Sequence, residues 1–175
     1  ALLGLAKLYS EEGNWNEAIS VYERLGKEHT WTNFGLVAPL FIAKIYSDNN
    51  EQAKYQDALR DAAALYQEEY ISAPTVEMRI QALDYMTVAY EKLEDWEQVL
   101  NTLNILDNEP KGVDVSRVLM HIGSIYQDKL NDTKNARETY ERLMRQFPLS
   151  DYYEIAKSRM SEMNPALQEQ GAEQP

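Results

Sequence analysis

The chain has 175 residues, 44% of them apolar and 26% charged, with no cysteine and a formal net charge of −12. That length suffices for a real core, and the lack of cysteine excludes disulfides, thiolate metal sites and cysteine nucleophiles. The acidity disfavours nucleic acid, which needs clustered Lys and Arg, and an anionic membrane surface; it mainly favours solubility.

Apolar residues recur at three- and four-residue spacing, while the seven glycines and six prolines fall between such blocks. This pattern predicts helices joined by short turns. The first helix is expected at 1–12, with Leu5-Ala6-Lys7-Leu8-Tyr9, and Gly13 then suits a tight turn with positive φ. Asn14 is placed to cap a second helix at 15–28 that carries Trp15, Ala18 and Tyr22. Residues 29–36 read as a long connection to a helix at 37–48, followed by one at 53–71 with extra residues around Asn49–Lys54. A second long connection is expected at 71–75. Thr75, Asp95, Asp114 and Ser150 are further candidate caps, opening helices near 76–92, 95–107, 115–129 and 151–163, and another helix is expected at 133–147, ended by Pro148. Asn164-Pro165 stops the last helix, and the polar tail at 164–175 has almost nothing to bury, so disorder is expected there. No apolar run approaches the roughly 20 residues needed to span a bilayer. The sequence opens at Ala1, without Met and already inside a helical pattern, which reads as an excised piece of a longer protein.

Four blocks repeat. They lead with Leu5–Tyr9, Ile42–Tyr46, Met86–Tyr90 and Ile122–Tyr126, and continue with the pairs Ala18/Tyr22, Ala58/Ala62, Val99/Leu103 and Ala136/Tyr140. The two members of each pair are four residues apart, one helical turn. A small residue such as Ala18 or Ala136 lets two helices approach closely. The blocks resemble the tetratricopeptide repeat (TPR), most clearly in Trp15-Asn16-Glu17-Ala18 with Tyr22, and in Ile122-Gly123-Ser124-Ile125-Tyr126 with Ala136, Tyr140 and Pro148. The resemblance implies an all-α fold, a right-handed TPR-like α-solenoid of about four helix–turn–helix repeats at 1–30, 36–71, 76–109 and 114–148, with a capping helix at 151–163. The leading tyrosines lie 37, 44 and 36 residues apart, against about 34 in the family. The last repeat, from Ala136 to Met160, is similar to bacterial cell-envelope TPR proteins. That likeness favours a periplasmic or membrane-associated setting, through an upstream segment, over the cytoplasm.

Nothing in the sequence assembles a catalytic centre, a metal site or a cofactor site. His29 and His121 are the only histidines and have no ligand-spaced partner. Asp107–Gly112 superficially resembles a calcium loop, but Lys111 occupies a ligand place and Val118 stands where the bidentate Glu belongs, so a turn is the better reading. Asn131-Asp132-Thr133 matches a glycosylation sequon, a pattern common by chance. No glycine-rich phosphate loop and no Gly-x-Ser-x-Gly is present.

The TPR resemblance implies protein binding on the concave groove lined by the first helix of each pair. Carried over repeat by repeat, the groove residues are Leu3, Lys7 and Glu11, then Leu40, Lys44 and Asp48, then Asp84, Val88 and Glu91, then Arg117, Met120, Ser124 and Gln127. Leu3, Leu40, Val88 and Met120 offer apolar points to a partner peptide, and Lys7 and Lys44 could receive a carboxylate. Leu3 and Phe41 stand where the chaperone-binding subfamily needs its carboxylate clamp, which argues against that subclass. The alternative reading is a self-associating scaffold, motivated by Trp31 and Phe34 and by the half-repeat at Ala1.

Overall fold

The structure, a computed structural model, describes residues 1–109 and 112–163; the tail expected to be disordered at 164–175 lies outside them. Among the described residues there are nine α-helices and no strand: α1 (Leu2–Glu11), α2 (Trp15–Glu28), α3 (Asn33–Asp48), α4 (Gln52–Ser72), α5 (Val76–Lys92), α6 (Trp96–Asp107), α7 (Val115–Asp128), α8 (Thr133–Gln146) and α9 (Tyr152–Glu162). They form two compact units, Ala1–Thr102 and Leu103–Pro175.

The helix ends fall within one residue of the sequence expectation except at α3, which begins at Asn33 rather than 37. The reason is local. Thr32 caps α3 by accepting the amide of Gly35 (3.1 Å) while its hydroxyl donates to the carbonyl of His29 (2.8 Å). That carbonyl sits so close to Gly35 that a Cβ there would overlap it. Pro39 lies inside α3, where its missing N–H leaves the Gly35 carbonyl without a helical donor. The connection expected to be long is therefore a tight one, pinned on His29. The second one is short as well, since α4 runs to Ser72 and Thr75 caps α5 through the amide of Met78 (3.3 Å).

Of the expected caps, Asp95 and Asp114 act as such, accepting the amides of Gln98 (3.2 Å) and of Ser116 and Arg117 (3.1 and 3.2 Å). Asn14 stands at the N-cap of α2 but makes no side-chain cap bond; its amide side chain donates to Glu12 instead (3.1 Å). Ser150 accepts the amide of Tyr152 (3.1 Å) from one residue before the helix boundary. Asp132, within the sequon, caps α8 by accepting the amide of Asn135 (3.0 Å).

Within the first unit α1 packs on α2, α2 on α3, α3 on α4 and α4 on α5. Its core gathers Ala6, Ala18, Tyr22, Leu25, Ala38 and Ile45, and Phe41 stacks on Tyr22 with ring centroids 5.2 Å apart. Further along, Leu59, Ala63, Tyr66, Leu83 and Met86 are buried. The Tyr66 hydroxyl donates to the carbonyl of Leu36, which satisfies a buried polar tip. Within the second unit α7, α8 and α9 pack on one another around Leu119, Ala136, Tyr140, Leu143 and Ala156. Three polar ties close that unit. Arg142 on α8 donates to Asp107 at the end of α6 through both terminal guanidinium nitrogens (2.7 and 2.9 Å). Arg159 on α9 binds Asp128 of α7 (3.0 Å), and Ser150 donates to Ser116 (2.8 Å). Asp107, the first residue of the calcium-like stretch, is thus engaged by an arginine.

Candidate functional site

The first helix of every pair ends in a similar backbone device. In the first three repeats the residue four after the leading tyrosine has positive φ: Gly13 (78°), Asn50 (58°) and Glu94 (57°). The next amide then returns to the tyrosine carbonyl, Asn14 to Tyr9 (2.8 Å), Glu51 to Tyr46 (2.9 Å) and Asp95 to Tyr90 (3.0 Å). This is the left-handed cap that satisfies the free carbonyls of a helix end. In the fourth repeat the turn is one residue longer: Asn131 takes the positive φ (51°), and Asp132 donates to Tyr126 (2.7 Å). The four tyrosines thus occupy equivalent places.

Counting from that turn corrects the alignment of the second repeat. The residue five after each left-handed position is Ala18, Tyr55, Val99 or Ala136, and four further on lies Tyr22, Leu59, Leu103 or Tyr140. The second repeat therefore places Tyr55 and Leu59 at these positions, not Ala58 and Ala62. Its turn is as short as in the first repeat, and the extra residues lie in α4, which has 21 residues against 14 in α2. The sequence is ambiguous there because α4 carries alanines at several helical turns, so a small residue alone does not fix the register.

The same register places the residues expected to line a groove. In the first unit Lys7, Glu11, Lys44 and Asp48 are exposed, and Leu3, Leu40, Asp84, Val88 and Glu91 are half-buried. In the second unit Arg117 is exposed, and Met120, Ser124 and Gln127 are half-buried. Some of these side chains are engaged within their own repeat. Lys44 binds Asp48 (2.8 and 2.9 Å), Ser124 donates to the carbonyl of His121 (2.8 Å), and Gln127 accepts from the Tyr140 hydroxyl (3.1 Å). Lys7 and Lys44 stand at the same place in successive first helices, so their charges recur one repeat apart.

A large concavity of the first unit opens elsewhere. A groove of about 640 Å³ lies between α2 and α4, floored by Pro39, Ile42 and Tyr46 of α3. At 100° per residue, the floor positions centre roughly 165° around α3 from Leu40, Lys44 and Asp48. Along α4 the groove-facing positions recur at helical spacing from Lys54 to Ser72, the stripe that an amphipathic helix normally fills with apolar residues. Here five carboxylates and two lysines line the groove. Glu69 is 6% exposed, and its Oε2 is buried without a hydrogen-bond partner among the described residues. Burial pushes its carboxyl up to about 7. Sequence reasoning missed Glu69; the available signal was an acid recurring at core period within α4.

Among the described residues no group of His, Asp and Glu is arranged to hold a metal ion, and no helix is long and apolar enough to cross a membrane. The geometry defines an all-α repeat protein, a solenoid of helix pairs. Two tetratricopeptide-repeat profiles match the chain, at residues 1–29 and 117–150. Solved structures agree along nearly the whole length. A tetratricopeptide repeat protein from Parabacteroides merdae ATCC 43184 is 13% identical with a TM-score of 0.53, over 93% of this chain and 58% of that one. This chain thus spans little more than half of that relative. The nearly identical TPR-like repeats of a putative kinesin light chain from Podosopora anserina are 16% identical with a TM-score of 0.58, over 96% of this chain and 87% of that one. A point variant of those repeats is 14% identical, with a TM-score of 0.57 and the same coverage. No curated protein matches. The chain carries tetratricopeptide repeats at residues 1–29 and 117–150 within an all-α TPR-like solenoid, and such repeats mark a protein–protein interaction or scaffold module; the fold is typically non-catalytic.

Proposed function

We propose that the chain is a non-catalytic module that docks a partner protein or peptide on the faces of its first helices. In the first unit these are the faces of α1, α3 and α5 that carry Lys7, Leu40, Lys44 and Val88; in the second unit it is the face of α7 that carries Met120. The observation behind this reading is the recurrent turn on Tyr9, Tyr46, Tyr90 and Tyr126, which gives each first helix a similar ending and leaves matched positions outside the core. A surface that repeats in this way offers alternating apolar and charged points to an extended or helical segment.

The test uses a peptide selected from a random display library against the whole chain, with affinity read by fluorescence anisotropy. Leu40→Asp, and Lys7→Glu with Lys44→Glu, should each weaken binding about tenfold or more while helix content is unchanged. Equal affinity in both variants would count against the first-helix face.

A second reading, self-association within a larger assembly, is favoured by Phe34 (57% exposed) and Leu8 (49% exposed). Light scattering should then show a concentration-dependent dimer that Phe34→Ser abolishes; a monomer at every concentration would dismiss it.

A further inference from the structure

We propose that the groove between α2 and α4 is a second docking site, which takes an arginine or lysine of a partner peptide against Glu69, with apolar neighbours of that residue on the floor of α3.

Four observations converge there. Glu69 is more than nine-tenths buried, and its Oε2 has no donor among the described residues, although a buried carboxylate oxygen normally has one. Glu69, with Lys27, Thr30 and Ser72, lines both of two concavities, the groove of about 640 Å³ and a neighbouring one bounded by the α2–α3 connection. The charge is one-sided: five carboxylates face two lysines, and with Lys54 bound to Glu51 and Asp57 to Arg60, four carboxylates are left against Lys27. Finally, Gly26 on the opposite wall leaves room, since a Cβ added there would meet nothing nearer than 3.9 Å.

These features select the occupant. An apolar segment alone would leave Glu69 unpartnered, and a cation alone would leave the floor of Pro39, Ile42 and Tyr46 wet. A guanidinium or ammonium on an apolar backbone satisfies both, because its donors reach the carboxylate while its stem and neighbours cover the floor. This face is distinct from the one proposed for α1, α3 and α5, so either can fail alone.

The experiment titrates the whole chain at pH 8 with acetyl-Leu-Arg-Leu-amide, followed by backbone amide shifts. A parallel titration uses the same peptide with citrulline, a neutral isostere of arginine. The arginine peptide should move amides of α2 and α4 around Gly26 and Glu69, and should bind about tenfold more tightly than the citrulline peptide. Glu69→Gln should erase that preference, and Gly26→Leu should block both peptides. Equal binding of the two peptides by the native chain, shifts confined to other helices, or no binding at millimolar peptide would overturn the proposal. The comparison of peptides on the native chain decides the matter even if a variant fails to fold. Spermidine displacing the arginine peptide from a site it fills more tightly would also overturn it, by assigning the site to a free polycation.

Discussion

The second and fourth repeats share the same kind of turn and differ in the helix that comes after it. In the fourth, Ala136 and Tyr140 are fully buried, and Gly123 lies against the Tyr140 ring so closely that a Cβ would overlap it. The helices α7 and α8 therefore close on an aromatic core with no room left. In the second, Tyr55 takes the place of that alanine and stays half-buried, Leu59 takes the place of the tyrosine, and α4 runs on to 21 residues. Its stripe of Ala and acidic residues leaves a groove against α2 where an apolar stripe would have filled it. A repeat is thus set by its turn, and the residue size one turn later decides whether it seals or stays open.

Truncating the two tyrosines should separate the repeats most widely. Tyr140→Ala should cost about 3–5 kcal/mol, because it opens a cavity in a closed core. Tyr55→Ala should cost less than about 1.5 kcal/mol. Urea unfolding would measure both, and equal losses would remove the distinction between sealed and open repeats. Gly123→Ala should cost about 2–3 kcal/mol by overpacking against Tyr140, despite the gain in helix propensity.

Glu69 extends the contrast to pH. Burial raises its carboxyl from the ordinary 4.5 to about 7, so the folded chain keeps a proton that the unfolded chain has lost. Its contribution is fully present below pH 4.5 and is lost as pH rises through 7, by about 3 kcal/mol in all. Glu69→Gln should flatten that decline and be the more stable protein at pH 8, by about 2 kcal/mol. Parallel stability profiles for the two proteins between pH 4 and 8 would contradict it. The smallest effect belongs to the shared turn. Glu94 adopts a left-handed conformation that favours glycine, so Glu94→Gly should raise stability by about 0.5–1 kcal/mol, whereas Gly13→Ala should lower it by about 1–2 kcal/mol. Thermal melts would read both.

Much of the fold is legible in the sequence, because helix periodicity, turn glycines and cap residues are local. The ends of α2, α5 and α6 need only Trp15, Thr75 and Asp95 with the spacing of apolar residues. The start of α3 has one local signal, the cap residue Thr32. The close approach of the His29 carbonyl to Gly35, which tightens the connection, is a backbone contact with no side-chain signature. The register of the second repeat also escapes, since the alanines of α4 allow several equivalent alignments and only the left-handed Asn50 fixes one. Glu69 is hidden for a further reason: among 29 acids, burial distinguishes it and composition does not.

For docking on the first helices, the decisive measurement is a map of amide shifts over the whole chain as a display-selected peptide is added. Perturbations should run along α1 and α3, centred on Lys7, Leu40 and Lys44. Perturbations that leave the first helices unmoved, or that gather on α9 or the inter-helix turns, would contradict it.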